Sequence, residues 1–319
     1  MCKVLGLDTS NYTTSAALLD TSDMTVLQQK LMLPVKEGER GLRQSDALFH
    51  HTKQLPEVME KLFSGDAVTP DAIGVSVKPR WAADSYMPCF LAGEGLADSL
   101  GSVLGIVPDK TSHQIGHVLA ALYSAGKLSL ACGSNDFAAF HVSGGTTDLL
   151  LCRPDKGSVL DITRIGGSND LKAGQAIDRC GVMLGLRFPC GGELEALAEK
   201  SSRDFNVKVP LKDMECSLSG VENKCRQMLE KGEPYEDIAR FCLTYVCAAV
   251  KGLTQAFYEK YGCMKIIYAG GVMSNKYIRG ELENKDRFFC APEFSKDNAC
   301  GVAVCSAIKK GYIDLWAQS

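Results

Sequence analysis

Phe137-Ala138-Ala139-Phe140-His141-Val142 is a short apolar run, followed by a polar glycine-bearing turn, Ser143-Gly144-Gly145-Thr146-Thr147-Asp148. Leu149-Leu150-Leu151-Cys152 returns as a second apolar run, so the segment reads as a strand, a tight turn and a strand. The chain opens in the same way. Val4-Leu5-Gly6-Leu7-Asp8 leads into Thr9-Ser10-Asn11-Tyr12-Thr13-Thr14 and then into a strand from Ser15 to Asp20. Each turn carries a Thr-Thr pair and has an aspartate at its edge. A repeat of this kind implies two related halves, each with its own sheet.

Outward from the first turn, Met24 to Leu33 completes a meander, Ser45 to Phe63 has helical spacing, and Asp71 to Val77 is a buried-looking strand. Phe90 to Leu104 is predicted as a helix of small residues, and Gly105 to Pro108 as a short strand. A glycine- and serine-rich stretch, 125–136, is the expected boundary. It makes residues 1–125 an N-terminal lobe and 126–319 a C-terminal lobe with a helical insertion. In the second half, 171–230 is expected to be mainly helical. Tyr235 to Tyr261 is one long helix with a core-facing stripe, and Lys265 to Ala269 is a strand that ends at Gly270-Gly271. A helix from about Ser274, a strand from Arg287 to Cys290 and a last helix from Asn298 to Lys310 follow. Strands alternating with helices predict an α/β fold.

At 319 residues the chain exceeds what one hydrophobic core usually serves, which agrees with two lobes. A hydrophobic share of 45% and a charged share of 23% are those of an ordinary globular protein, and no apolar window is long enough for a membrane span. The start, Met1-Cys2-Lys3-Val4, runs directly into a strand and leaves no room for a signal peptide. The 14 cysteines form no CxxC pair, so buried reduced thiols in a cytoplasmic protein are expected. A net charge of −3 supplies no general attraction to nucleic acid, so RNA contact would call for a local basic patch or a partner.

Three places carry chemistry. His113-Gln114-Ile115-Gly116-His117 opens an apolar helix, with Thr111 and Ser112 as candidate N-caps. Histidines four apart share a helix face and can share one metal ion. A zincin peptidase places a glutamate directly after the first histidine as its base; Gln114 stands there, which argues against peptidase chemistry. The two turns present backbone N–H groups suited to a phosphate chain, and Asp8 and Asp148 at their edges are candidates for holding Mg²⁺ or a water. Gly270-Gly271-Val272-Met273-Ser274-Asn275 leaves a strand end and enters a helix, the edge at which open α/β sheets bind ligands. Ser274 and Asn275 are equally suited to capping that helix.

Taken in order, the opening turn, HxxxH, the SGG turn, Gly174-Gln175-Ala176-Ile177-Asp178-Arg179, Pro189-Cys190-Gly191-Gly192, Leu218-Ser219-Gly220, Ala269 to Asn275 and Asp297-Asn298 resemble the TsaD (Gcp) family. That family makes N6-threonylcarbamoyladenosine in tRNA and has the two-lobed actin-like ATPase fold with internal duplication. The resemblance implies a divalent transition metal, iron or zinc, held by His113, His117 and Asp297. These ligands come from opposite halves of the chain and would tie the lobes together; alone, Asp297 also reads as a helix N-cap. It implies substrate or nucleotide contacts at His141, Val142, Ser143, Gly144, Gly145, Asp178, Gly191 and Asn275, with adenine nucleotide between the lobes. Threonylcarbamoyl-adenylate or ATP, tRNA reached through companion proteins, and a related actin-like subunit are the implied partners.

The chain departs from the family at its turns. The family's ETSCDE reads Asp8-Thr9-Ser10-Asn11-Tyr12-Thr13, its SGGHT reads Ser143-Gly144-Gly145-Thr146-Thr147, and its GEAFD has Gln175 for the glutamate. A glycine-rich family segment is replaced by Pro79 to Pro88. Two functions are therefore weighed: the threonylcarbamoyl transferase, and a non-catalytic ATP- or ADP-binding regulatory or assembly paralogue.

Overall fold

A computed structural model describes residues 2–10, 12–34, 42–65 and 68–313. Asn11, in the opening turn, lies outside the described residues. By internal contacts the chain forms two compact units, Met1–Asp136 with Arg153–Ile162 and Glu293–Ser319, and Phe137–Cys152 with Thr163–Pro292. A single cut after residue 125 is thus corrected. The last helix belongs with the first unit because its apolar faces are buried there.

The first unit is built on β1 (Lys3–Ser10), β2 (Thr13–Asp20), β3 (Thr25–Met32), α1 (Gln44–Leu62), β4 (Ala72–Lys78), α2 (Phe90–Leu104), β5 (Asp109–Ser112) and α3 (His113–Ser124). Its sheet runs β3-β2-β1-β4-β5, antiparallel through the meander and parallel beyond β1. The strand expected at 105–108 is instead a turn. Gly105 closes α2 with φ 71°, and the chain re-enters the sheet only after Pro108. Leu5 and Leu7 of β1 face Val58, Leu62 and Ala97 of the two helices, which buries one side of the sheet.

The second unit contains β6 (Phe137–Val142), β7 (Thr147–Asp155), β8 (Val159–Ser168), α4 (Ala173–Met183), α5 (Gly191–Ala198), β9 (Leu211–Lys212), β10 (Glu215–Cys216), α6 (Ser219–Glu230), α7 (Tyr235–Tyr261), β11 (Ile266–Ala269), α8 (Lys276–Leu282) and β12 (Arg287–Phe289), although the tip of the β7–β8 hairpin groups with the first. Its sheet order is β12-β11-β6-β7-β8-β10-β9. Read from β8 to β12, this repeats the first sheet strand for strand: a meander of three, then two parallel strands on the far side of the first. The duplication visible in two turns is a duplication of topology. β9 and β10 are an addition inside the stretch expected to be mainly helical, where Leu211 and Cys216 pair across a two-residue turn.

The final helix, α9 (Cys300–Lys309), is buried along nearly its whole length. Gly6 and Gly74 are directly paired neighbours in β1 and β4. A Cβ on Gly6 would meet the Ala299 carbonyl at 2.5 Å, and one on Gly74 the Val302 carbonyl at 2.6 Å. The two glycines form a groove in the sheet that seats α9. On its other side, a Cβ on Gly301 would meet the Gly116 carbonyl of α3 at 1.8 Å. Neither neighbour can yield, since both contacts are to backbone. Gly301→Ala is therefore expected to lower stability by about 1–3 kcal/mol, the usual cost of overpacking, measured by chemical denaturation; an unchanged midpoint would contradict this packing.

Candidate metal centre and substrate turn

α3 begins at His113 because Ser112, in extended backbone, caps it by accepting the Ile115 N–H at 3.3 Å. His113 and His117 then lie one turn apart, with ring centroids 4.3 Å apart. Asp297, in the segment leading to α9, places Oδ1 3.1 Å from His117 Nε2 and 3.7 Å from His113 Nε2. The N-cap position of α9 is Ala299 rather than Asp297, and Asn298 accepts the Cys300 N–H at 3.1 Å. One ligand atom from each of the three residues lies within 4.8 Å of the others. Two imidazole nitrogens and a carboxylate oxygen at that separation fit a divalent transition metal and leave room for further ligands. The three residues are brought together inside one unit, so the expectation of a tie between lobes is corrected.

Behind the group stands Asp8, fully buried at the end of β1. Its carboxylate accepts from Ser10 Oγ at 2.6 Å, from Ser76 Oγ and from His113 Nδ1 at 3.1 Å. It is therefore not an open Mg²⁺ ligand. It fixes the His113 ring so that Nε2 points to His117 and Asp297, the outer-shell arrangement that tunes metal-binding histidines. Burial alone would depress the His113 pKa, but the Asp8 charge and hydrogen bond outweigh it and raise it to about 9. Burial likewise pushes Asp8 up, and the interactions with His113, Ser10 and Ser76 bring it below the usual carboxylate range. Sequence reasoning had placed Asp8 at a phosphate turn; the signal for its real position was the buried apolar strand ending on an acid.

The opening turn is also used internally. Thr9 Oγ1 donates to the Cys89 carbonyl at 3.1 Å and accepts the Gly93 N–H at 3.2 Å, while Thr14 Oγ1 meets His51 Nδ1 at 2.8 Å and Gln54 Oε1 at 2.7 Å. These hydroxyls hold α1 and α2 to the sheet rather than facing a ligand.

In the second unit, Ser143 to Thr146 form the β6–β7 turn, closed by the Ser143 N–H on the Thr146 carbonyl at 2.8 Å. Ser143 Oγ accepts the N–H groups of Gly145 and Thr146 at 3.3 and 3.2 Å, so the serine itself occupies part of the anion concavity. The start of α4 docks under the turn: Gly174 N–H reaches the Ser143 carbonyl at 3.1 Å, and Ala173 N–H reaches Thr147 Oγ1 at 2.9 Å. A Cβ on Gly174 would lie 2.7 Å from Gly144 Cα, so that approach requires glycine. Gln175, in place of the family's glutamate, accepts the Lys172 N–H at 3.3 Å, a capping contact either side chain can make. Asp148 is ion-paired to Arg164 Nε at 2.8 Å, which corrects its reading as a Mg²⁺ or water ligand.

One turn along α4, Asp178 Oδ1 accepts the Cys190 N–H at 2.8 Å and so sits beside Gly191. Burial raises its pKa, partly offset by that hydrogen bond. Asn275 caps α8 through the Ile278 N–H at 3.0 Å, and Val142 lies against Gly270 at the head of the same segment. His141 pairs across β6–β7 with Asp148 and across β6–β11 with Ala269. A Cβ on Gly144, Gly145, Gly191 or Gly271 would meet no atom within 4 Å. Packing of the Cβ therefore does not demand glycine at these four positions.

The family model of tRNA N6-adenosine threonylcarbamoyltransferase (TsaD) matches residues 35–304. The chain belongs to the TsaD family. A TsaD relative from Aromatoleum aromaticum, named tRNA N6-adenosine threonylcarbamoyltransferase, is 27% identical over 96% of this chain and 91% of its own. A Thermoplasma volcanium protein named as a probable bifunctional tRNA threonylcarbamoyladenosine biosynthesis protein is 28% identical over 93% of this chain but only 53% of its own. Among solved structures, full-length HypF in a phosphate- and nucleotide-bound form superposes with a TM-score of 0.60 at 13% identity, over 99% of this chain and 47% of that one. Component A of (R)-2-hydroxyglutaryl-CoA dehydratase from Acidaminococcus fermentans gives 0.57 at 17% identity, over 98% and 100%. These neighbours establish the actin-like ATPase fold that the TsaD resemblance implied. No described helix is long and apolar enough to cross a membrane.

Purified protein is expected to carry close to one transition-metal ion per chain, and His117→Ala to lose it. Asp8→Asn should weaken metal binding by about 10–100-fold, the usual effect of losing an outer-shell partner. Elemental analysis finding equal metal in the wild type and the His113→Ala, His117→Ala double variant would remove the site.

Proposed function

We propose that this TsaD-family chain transfers a threonylcarbamoyl group from its adenylate to the N6 amine of an adenosine in tRNA. The observation that carries the proposal is that the matched family segment, residues 35–304, holds an assembled His113, His117 and Asp297 group, with Asp8 supporting it from the strand before that segment. In the reaction the adenosine amine forms a bond to the carbamoyl carbon, the carbon–oxygen bond to the phosphate breaks, AMP leaves with the electron pair, and the amine loses a proton. A divalent iron or zinc ion held by the three ligands would supply Lewis-acid polarisation.

The chain's own residues bind and orient. The Ser143–Thr146 turn receives the phosphate, with Gly144 and Gly145 allowing close approach and the Ser143 hydroxyl yielding its two N–H donors to the ligand. The second oxygen of Asp178 accepts from a ligand hydroxyl, next to Gly191; Gly271 and Asn275 complete the nucleotide contacts. Trp81 is about half exposed, with Lys78 Nζ 5.1 Å from its ring centroid. It stands on the segment whose Pro79 carbonyl accepts the Gln114 N–H beside His113. That aromatic and basic pair suits an unpaired RNA base. Because the chain is acidic overall, tRNA would be delivered with companion proteins, including a related actin-like subunit, in the cytoplasm, where a chain with 14 cysteines stays reduced.

One observation favours a second reading. Thr146 stands where the family has histidine, and its N–H is occupied by Ser143, a turn suited to ATP or ADP binding without transfer.

Two measurements separate the readings. Gly144→Val should weaken nucleotide binding in calorimetry well beyond any loss of thermal stability, since its Cβ meets no protein atom within 4 Å; no ATP, ADP or AMP affinity at all would contradict both. Asp178→Asn should cut threonylcarbamoyl transfer to tRNA by about ten- to a hundredfold, the worth of one charge-assisted hydrogen bond, with metal content unchanged. Nucleotide binding without transfer, with all companion proteins present, would select the regulatory reading.

A further inference from the structure

Three cysteines far apart in sequence meet in the core of the second unit. Cys180 of α4, Cys225 of α6 and Cys242 of α7 are each completely buried, and their Sγ atoms all lie within 4.8 Å of one another. Each comes from a different helix, so the cluster is a product of tertiary packing. The surroundings are apolar: Ala176, Leu218, Val221, Ile238 and Ala239 belong to the same buried cluster. No sequence motif marks this group, because its members stand 45 and 17 positions apart where a metal motif would place them close together.

We propose that Cys180, Cys225 and Cys242 form a binding site for one monovalent copper ion, distinct from the His113, His117 and Asp297 group. Thiolate ligands select soft cations, and the group contains no nitrogen or oxygen ligand. Three sulfurs around a metal at about 2.3 Å lie about 4 Å apart, so closing the site asks each side chain to move by less than an ångström. Zinc is disfavoured because structural zinc takes four ligands in a tetrahedron, and the group offers three. Copper(I), a soft cation, is satisfied by three sulfur ligands. Copper entering there binds sulfur as thiolate and releases the thiol protons.

The test uses the full-length protein, reduced and handled without oxygen, and titrated with copper(I) in the presence of a competing copper(I) chelator. The expected result is one copper per chain retained against the chelator, with X-ray absorption showing a shell of three sulfurs and no nitrogen. It should persist in the His113→Ala, His117→Ala double variant and in a Cys2→Ser, Cys263→Ser variant, which removes the two thiols outside the buried set. Cys225→Ser should weaken it by more than the roughly 10–100-fold that loss of an outer-shell partner costs. The spectrum of the wild type answers the question even where that variant fails to fold. A shell containing nitrogen, preferential tetrahedral zinc, two cluster thiols recovered as a disulfide from freshly reduced protein, or no copper retained would each overturn the proposal.

Discussion

α9 lies between the first sheet and α3 at backbone contact distance, and the geometry around the metal group depends on that seat. The paired glycines Gly6 and Gly74 remove the side chains that would lift the helix off the sheet, and Gly301 allows α3 to come down on the other side. Buried along its length, α9 brings residues close to 300 back to the strand that opened the chain. Only because of this return can Asp297 reach His117, 180 positions earlier. Interiors are packed as densely as organic crystals, so a helix held at that distance has little freedom to slide.

The same strand supplies the second constraint. β1 is buried along nearly its whole length and carries, two residues before its end, Asp8, a carboxylate removed from water. An isolated buried charge is costly, and this one is made tolerable by two serine hydroxyls and by His113. The cost and its compensation fix the imidazole. In the second unit, the hairpin's aspartate, Asp148, lies on the returning strand opposite His141 and faces an arginine. Duplicated topology has thus been put to different uses, support for the candidate metal group in one copy and a glycine-bearing turn with α4 beneath it in the other.

Much of this was legible in the sequence. The two strand–turn–strand segments gave the duplication, and periodicity gave α1, α2, α3, α7 and α9. The ordered motifs gave the family and, through it, the His113, His117 and Asp297 group. Three things were not legible, each for a physical reason. Asp8 and the threonines of the opening turn looked like ligand groups because polar residues in a turn look alike whether they face solvent or the interior. The assignment of the final helix to the first unit rests on glycine contacts between strands and a helix separated by more than two hundred residues, which no local period records. The Cys180, Cys225 and Cys242 cluster is a meeting of helices, and each cysteine alone reads as a small apolar residue.

The central claim is that the chain performs the transfer itself. The most direct measurement is the N6-threonylcarbamoyladenosine content of tRNA, read by mass spectrometry of its nucleosides, in cells whose own modifying transferase has been depleted and replaced by this chain with its companion proteins. The account predicts that the modified nucleoside returns with the wild-type chain and stays absent with His117→Ala. Its continued absence with the wild-type chain, soluble and carrying its metal, would contradict the account.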